Sequence, residues 1–145
     1  MTVTMDIIKF FQSYIRQMVK IGGINLPKTI SSAMGHDLAI RYLDHGVADW
    51  KEGLTGMISG MGGSIEINEE EGHWTAKILY PTEFCPIGGQ PGEQRSEVTA
   101  EAICKPYVSG FINAFGPKVA GTIKVNECMV RDCGNCCNME FTFTD

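Results

Sequence analysis

Apolar residues follow a helical spacing in the first part of the chain. Over residues 5–20 they recur every three or four positions, which is typical of an amphipathic helix, and Gly22 and Gly23 end the pattern. A second helix is predicted from Pro27 to Gly46, because proline suits a first helical turn and glycine ends a helix. A third helix is predicted over residues 47–59.

Beyond the third helix, the pattern changes to alternation. Residues 64–68 alternate strictly and residues 74–80 provide a partner strand, so the two segments predict a β-hairpin. A fourth helix is predicted over residues 96–115. Pro106 falls near its middle and predicts a kink there.

Two further strands are predicted at the C-terminus, over residues 122–128 and 139–144, joined by a cysteine-rich turn. The order is three helices, a hairpin, a helix and a second hairpin. This order predicts a mixed α/β (α+β) fold, with an antiparallel sheet of about four strands packed against about four helices. A chain of 145 residues is within the usual size of a single domain, so residues 1–145 are predicted to form one.

Composition and charge narrow the classes of function. The net charge is -5 and no basic stripe is present, so nucleic acid is not an expected partner. No apolar stretch approaches the ~20 residues of a membrane span. We therefore expect a cytoplasmic protein. Thiols stay reduced in the cytoplasm, so clustered cysteines indicate metal ligands in preference to structural disulfides.

The candidate chemistry lies near the C-terminus, where five of the six cysteines are found. Cys133 and Cys136 form a C-x2-C pair, which can place two sulfurs on one ion, and tetrahedral zinc needs four N, S or O ligands. The candidate ligands are Cys104, Glu127, Cys128, Cys133, Cys136 and Cys137. Cys85 lies in a loop rich in proline and glycine and stays outside this set.

Two alternatives to zinc remain open. Cys128, Cys133 and Cys136 reproduce the first three cysteines of the plant-type ferredoxin spacing, with Cys104 or Cys137 as a fourth ligand, which favours an iron-sulfur cluster. A C-x2-C pair can also cycle as a disulfide, although the chain lacks the βαβ context of that motif. Buried cysteines can also simply fill space in a core.

The chain resembles the 4-vinyl reductase domain family over residues 24–145, whereas residues 1–22 form the separate N-terminal helix. The resemblance rests on the glycine-rich segment 57–67, Phe84-Cys85-Pro86, and the C-terminal residues Cys104, Gly110-Phe111, Val125 to Cys128, Gly134, Cys136-Cys137 and Glu140 to Phe143. The resemblance implies a fold like that of vesicle-transport-particle subunits, and often a homodimer.

The same resemblance implies a zinc site built from a helix cysteine, a glutamate and two hairpin cysteines. Cys104 and Glu127 match it, while Val130 stands where the family has a further cysteine and Cys136 or Cys137 supplies the last one. A cluster-binding variant therefore stays open.

Members of the family look like sensors of small molecules or hydrocarbons. The implied ligand pocket lies between the helices and the sheet, and its candidate lining residues are Tyr107, Phe111, Phe115 and Trp74, for which ordinary core packing is the alternative. The leading hypothesis is therefore a metal-containing domain that binds a small apolar molecule. The alternative is an iron-sulfur redox enzyme or electron carrier, and no catalytic residue is assigned.

Overall fold

A computed structural model of the chain describes residues 3–80, 99–128 and 136–144. The helices are α1 (Val3–Gly22), α2 (Asn25–Asp44), α3 (Trp50–Gly60), a π-helix (Thr99–Cys104) and α4 (Lys105–Ala114). The strands are β1 (Ser64–Glu70), β2 (His73–Leu79), β3 (Lys124–Glu127) and β4 (Cys136–Phe141). The predicted α+β architecture is confirmed.

The first three helices begin and end close to the predicted positions. Gly23 ends α1 with a positive φ of 73°, a conformation that glycine adopts without steric cost. Asp49 caps α3, because its side chain accepts a hydrogen bond from the backbone N–H of Lys51 at 3.3 Å.

The four strands form one antiparallel sheet in the order β1-β2-β4-β3. β1 and β2 are a hairpin in which Ser64 pairs with Leu79 and Glu70 with His73. β4 lies between β2 and β3, and its register with β3 shifts between Val125 and Glu127. The C-terminal hairpin therefore contributes one central strand and one edge strand.

The predicted bounds of the last two strands were wrong. β4 begins at Cys136 instead of Met139, because Cys136 and Cys137 pair with Leu79 and Ile78 of β2. The extended residues after Phe141 leave this ladder and pair with the segment before β3. Thr144 donates its backbone N–H to the carbonyl of Lys118 at 2.8 Å, and Val119 bridges Phe143.

The predicted fourth helix is divided at its proline. The π-helix ends at Cys104 and α4 begins at Lys105, so Pro106 is the second residue of α4. Proline has no N–H to donate to the preceding turn, which accounts for the change of helix type at this point. The predicted first residues of this helix, 96–98, lie outside the described residues.

Helices α2 and α4 touch through their backbones. A Cβ atom at Gly35 would overlap the carbonyl oxygen of Tyr107, and one at Gly110 would overlap the carbonyl oxygen of Ser32. Only glycine allows so close an approach, so these two residues fix where the helices cross. The crossing sets the position of α4, which contributes Phe111 and Ile112 to the main core.

Two groups of buried residues lie under the helices. The main core joins α2, α3, α4 and the sheet and contains Leu54, Phe111, Ile112 and Ile123, all fully or almost fully buried. A smaller group joins Ile15 of α1 to Ala102 and Ile103 of the π-helix. Cys128 and Cys137 belong to the main core, and Cys104 packs against it.

Candidate functional site

The C-terminal hairpin brings one predicted acid and one predicted thiol together. Glu127 ends β3 and Cys136 begins β4, nine residues further along the chain. The Cys136 Sγ donates a hydrogen bond to the Glu127 Oε2 at 3.1 Å. The thiol is buried, while Glu127 is exposed, so solvent reaches the pair from the carboxylate side.

The neighbouring carboxylate controls the ionisation of this thiol. The pKa of Cys136 is raised, first because the neutral thiol donates its hydrogen bond to Glu127, and then because burial and the negative charge of Glu127 disfavour a thiolate. Lys77 on β2 acts in the opposite direction. Cys136 is therefore held as a protonated donor in this state.

Cys136 and Cys137 lie on opposite faces of the sheet, because successive residues of a strand point in opposite directions. Cys137 pairs with the buried Ile78 and belongs to the main core, whereas Cys136 pairs with Leu79, which is 39% exposed. While β4 is formed, the two sulfurs of this adjacent pair cannot face the same ion.

The remaining predicted ligands divide between the core and the undescribed segments. Cys128 is buried in the main core, and Cys104 packs against it from the junction between the π-helix and α4. Cys85 and Cys133 lie outside the described residues. Within residues 3–80, 99–128 and 136–144, no three His, Cys, Asp or Glu side chains are grouped so that they could hold a metal ion.

Three of the predicted pocket residues lie together on α4 and at its C-terminal end. Phe111 is fully buried and meets Tyr42 of α2 edge-on, with ring centroids 5.6 Å apart, and Phe115 at 5.3 Å. Tyr107 is half-buried, and its pKa is raised, first by burial and second by the neighbouring Tyr42. These side chains fill the space between α2, α3 and α4.

The fourth predicted pocket residue, Trp74, belongs to a different aromatic group. Its ring centroid lies 5.0 Å from that of Trp50, and Trp50 also meets Phe141 at 5.7 Å and Phe143 at 5.4 Å, all nearly edge-on. Trp50 was not among the residues predicted from the sequence to line the pocket. Its position at the start of α3, directly after the capping Asp49, was the available signal.

An exposed apolar stripe runs along the hairpin of α1 and α2. Phe10, Tyr14 and Ile21 are 70%, 62% and 81% exposed, and they recur at helical spacing. Together with Leu26 and Ile30 of α2 they line a groove of about 500 Å³. The amphipathic pattern predicted that the apolar face of α1 would be buried. Part of that face is exposed, because the described residues leave Phe10, Tyr14 and Ile21 largely uncovered.

Comparisons with known proteins identify the fold. No protein-family model matches the sequence, and no curated protein matches it. The chain is similar to the crystal structure of a trafficking protein particle complex subunit 3 from Naegleria fowleri covalently bound to palmitic acid. The identity is 10%, the match covers 98% of this chain and 95% of that chain, and the TM-score is 0.60.

This likeness confirms the predicted transport-particle-subunit-like fold. A shared fold at so low an identity does not carry function with it. Membership of the 4-vinyl reductase domain family therefore stays a prediction. Across the three described ranges, no helix has both the length and the apolar character that a membrane crossing requires.

Proposed function

We propose that this protein binds a small apolar molecule and holds a metal ion where β3 ends and β4 begins. The observation that carries the proposal is the contact between Cys136 and Glu127. A thiol and a carboxylate are both zinc ligands once the thiol loses its proton, and a cation between them would take the place of that proton.

The spacing of the two atoms supports this role. Zinc bonds of about 2.3 Å to sulfur and about 2.1 Å to oxygen, at a tetrahedral angle, place the two ligand atoms about 3.6 Å apart. The Cys136 Sγ and the Glu127 Oε2 are 3.1 Å apart. An ion would therefore need the pair to open by about half an ångström, which a side-chain rotation supplies.

Cys133 is the predicted third ligand, through its C-x2-C spacing with Cys136, and it lies outside the described residues. Cys104 and Cys128 are the predicted alternatives; they lie in or against the main core and would have to move to join this pair. Zinc is the proposed ion. An iron-sulfur cluster remains the second candidate, because Cys128, Cys133 and Cys136 keep the spacing that such a cluster uses.

The test of the metal site is elemental analysis of protein purified without oxygen or chelator. Wild-type protein is expected to carry about one zinc per chain, and Glu127→Gln and Cys136→Ser are each expected to lower that content by about tenfold or more. The matched control is Glu140→Gln, which removes a carboxylate from the same face of β4 and should leave the zinc content unchanged.

Elemental analysis distinguishes zinc, an iron-sulfur cluster and the absence of any metal. A brown preparation that contains iron and loses its colour in Cys133→Ser would replace zinc by an iron-sulfur cluster. Metal-free wild-type protein that also fails to bind added zinc or iron would contradict the metal proposal.

The apolar ligand is proposed to enter beside α4 by displacing Tyr107, Phe111 and Phe115, the aromatic side chains that fill this space. The fold neighbour holds palmitic acid, which makes an acyl chain a suitable first probe. On addition of palmitic acid we expect saturable NMR shifts of the amides at these three residues.

Phe10→Gln is the control for adsorption of palmitic acid to the exposed apolar stripe, and it should leave the shifts on α4 in place. Shifts confined to the stripe, and lost in Phe10→Gln, would contradict a site beside α4.

A homodimer is the proposed assembly, and the exposed stripe supports it. Phe10, Tyr14 and Ile21 form a contiguous apolar surface on one helix, of the kind that marks interaction sites in soluble proteins. Because a two-fold interface uses the same patch on both subunits, an apolar stripe can cover its own copy. In this proposal, binding of the apolar ligand changes the association of the two subunits or their association with a partner protein.

A further inference from the structure

A second cavity, separate from the cysteine site, lies between α2 and α4. It has a volume of about 680 Å³, within the range of clefts that hold small ligands. Its floor is the backbone crossing at Gly110, where the carbonyl of Ser32 is so close that no side chain would fit. The crossing fixes the spacing of the two helices at this place, so the walls of the cavity are preorganised.

Polar donors line one wall of this cavity at helical spacing. Lys28, Ser32 and His36 follow one another at intervals of four residues, so they stand on one face of α2 over about 12 Å. Asn113 of α4 faces them across the cavity. An ammonium, a hydroxyl, an imidazole and an amide therefore meet around one space.

Lys28 brings a positive charge to this cavity. Lys28 is half-buried, and within the described ranges it makes no ion pair. The carboxylate in the cavity wall is that of Asp37, whose side chain is 82% exposed and lies 3.7 Å from His36. In a chain with a net charge of -5, this partly buried lysine makes the cavity locally positive at one end.

The side-chain amide of Asn113 can donate a hydrogen bond into the cavity. Its Oδ1 accepts the backbone N–H of Val119 at 2.8 Å, which orients the amide and leaves the Nδ2 to donate elsewhere. Oxygen atoms of a phosphate accept hydrogen bonds from ammonium, hydroxyl and amide groups, and charge-assisted bonds are the strong ones.

We propose that this cavity binds a phosphate monoester, with Lys28, Ser32 and Asn113 as donors to the phosphate oxygens. The inference goes beyond the proposed metal and apolar-ligand sites and does not depend on them. The phosphate can belong to a free small molecule or to a lipid headgroup, because both present the same group.

The test is an NMR titration of the full chain with inorganic phosphate at constant ionic strength. We expect saturable shifts of the amides at residues 28–37 and 110–113. Lys28→Gln should weaken the binding by about tenfold, the usual loss for a charge-assisted contact. Lys20→Gln, which lowers the net charge equally on α1, is the control and should weaken it by less than about twofold.

A second variant keeps the proposal testable if Lys28→Gln fails to fold. Asn113→Asp retains the oxygen that accepts the Val119 N–H but places a negative charge in the cavity. It is expected to abolish phosphate binding while leaving the melting temperature close to that of the wild type. Equal weakening by Lys28→Gln and Lys20→Gln, or the absence of saturation, would overturn the proposal.

Two further experiments distinguish a lipid headgroup from a free small molecule as the carrier of the phosphate. Sedimentation with phosphatidylcholine vesicles that contain phosphatidic acid, lost in Asn113→Asp, would support a lipid headgroup. Saturable binding of glycerol phosphate, without sedimentation of the protein with those vesicles, would support a free small molecule.

Discussion

At the scale of single residues, Glu140 shows how a polar contact couples protonation to folding. Its carboxylate accepts a side-chain hydrogen bond from Asn126 and one from His73, whose Nε2 lies 3.4 Å from the Oε1. These bonds hold the pKa of Glu140 below its ordinary value, with Asn126 as the first cause. The charged form is thus favoured by the folded state.

A lowered carboxyl pKa stabilises the fold at neutral pH, and that contribution disappears as the pH falls through the lowered pKa. Glu140→Gln should therefore destabilise the protein at neutral pH, and its difference from the wild type should shrink on acidification. Urea denaturation of both proteins over this pH range measures the effect. Glu66→Gln, which removes an equal charge from β1, is the control, and a pH-independent difference for Glu140→Gln would contradict the prediction.

A second prediction at this scale concerns Trp50. Its side chain is 7% exposed and meets Trp74, Phe141 and Phe143, so it ties α3 to the sheet. Trp50→Ala should cost about 3–5 kcal/mol of unfolding free energy, because it leaves a cavity among aromatic rings. Ser59→Ala, at an exposed residue of the same helix, should cost less than about 0.5 kcal/mol, and chemical denaturation compares the two.

The cysteines show what residue-level prediction could and could not provide. Glu127 and Cys136 were two of six candidate ligands, and the structure places these two side chains in hydrogen-bond contact, whereas their role as metal ligands stays a prediction. The division of Cys136 from Cys137 was not predicted. The division follows from the alternation of side chains along a strand, because β4 begins three residues before its predicted start and therefore includes both cysteines.

At the scale of elements, the contact between α2 and α4 depends on two glycines. Gly35→Ala and Gly110→Ala should each destabilise the protein by at least about 1–3 kcal/mol, because a Cβ at either place meets the backbone of the other helix. Backbone atoms cannot rotate away as a side chain can. Thermal and chemical denaturation give the measurement.

The control for these substitutions is Gly60→Ala at the end of α3, where a Cβ would meet nothing within 4 Å. It should be neutral or stabilising by up to about 1 kcal/mol, because alanine restricts the unfolded chain. Similar losses at Gly35, Gly110 and Gly60 would contradict a close helix crossing. The periodicity of apolar residues gave no sign of this crossing, since glycine carries no hydropathy signal.

The helices and strands themselves were largely predictable. Helices α1, α2 and α3 and the β1–β2 hairpin have strong periodic patterns and clear glycine boundaries, and each formed near its predicted place. The order of the strands in the sheet could not be predicted from the periodicity of apolar residues. The strand order β1-β2-β4-β3 places β4 beside β2, a contact between distant segments that local pattern does not encode.

At the scale of the whole molecule, the exposed stripe on α1 predicts self-association. Ile21 is 81% exposed, and Ile21→Glu would place a charge within the proposed interface. We expect wild-type protein to sediment as a dimer and Ile21→Glu as a monomer at the same concentration. Ser59→Glu, an exposed position on α3, adds the same charge elsewhere and should leave the dimer intact.

Sedimentation velocity across a dilution series gives this measurement. A wild-type protein that is monomeric at every concentration would contradict the dimer. A dimer that survives Ile21→Glu but not Ser59→Glu would place the interface elsewhere.

The two edges of the sheet have a consequence for how chains of this protein meet. β3 has four residues and a shifted register, while β1 carries Glu66, Glu69 and Glu70. Short, irregular or charged borders are poor templates for adding a strand from another chain. Fibril growth by strand addition is therefore disfavoured at both borders, and crowding of many copies should lead to contacts between helices before it leads to cross-β aggregates.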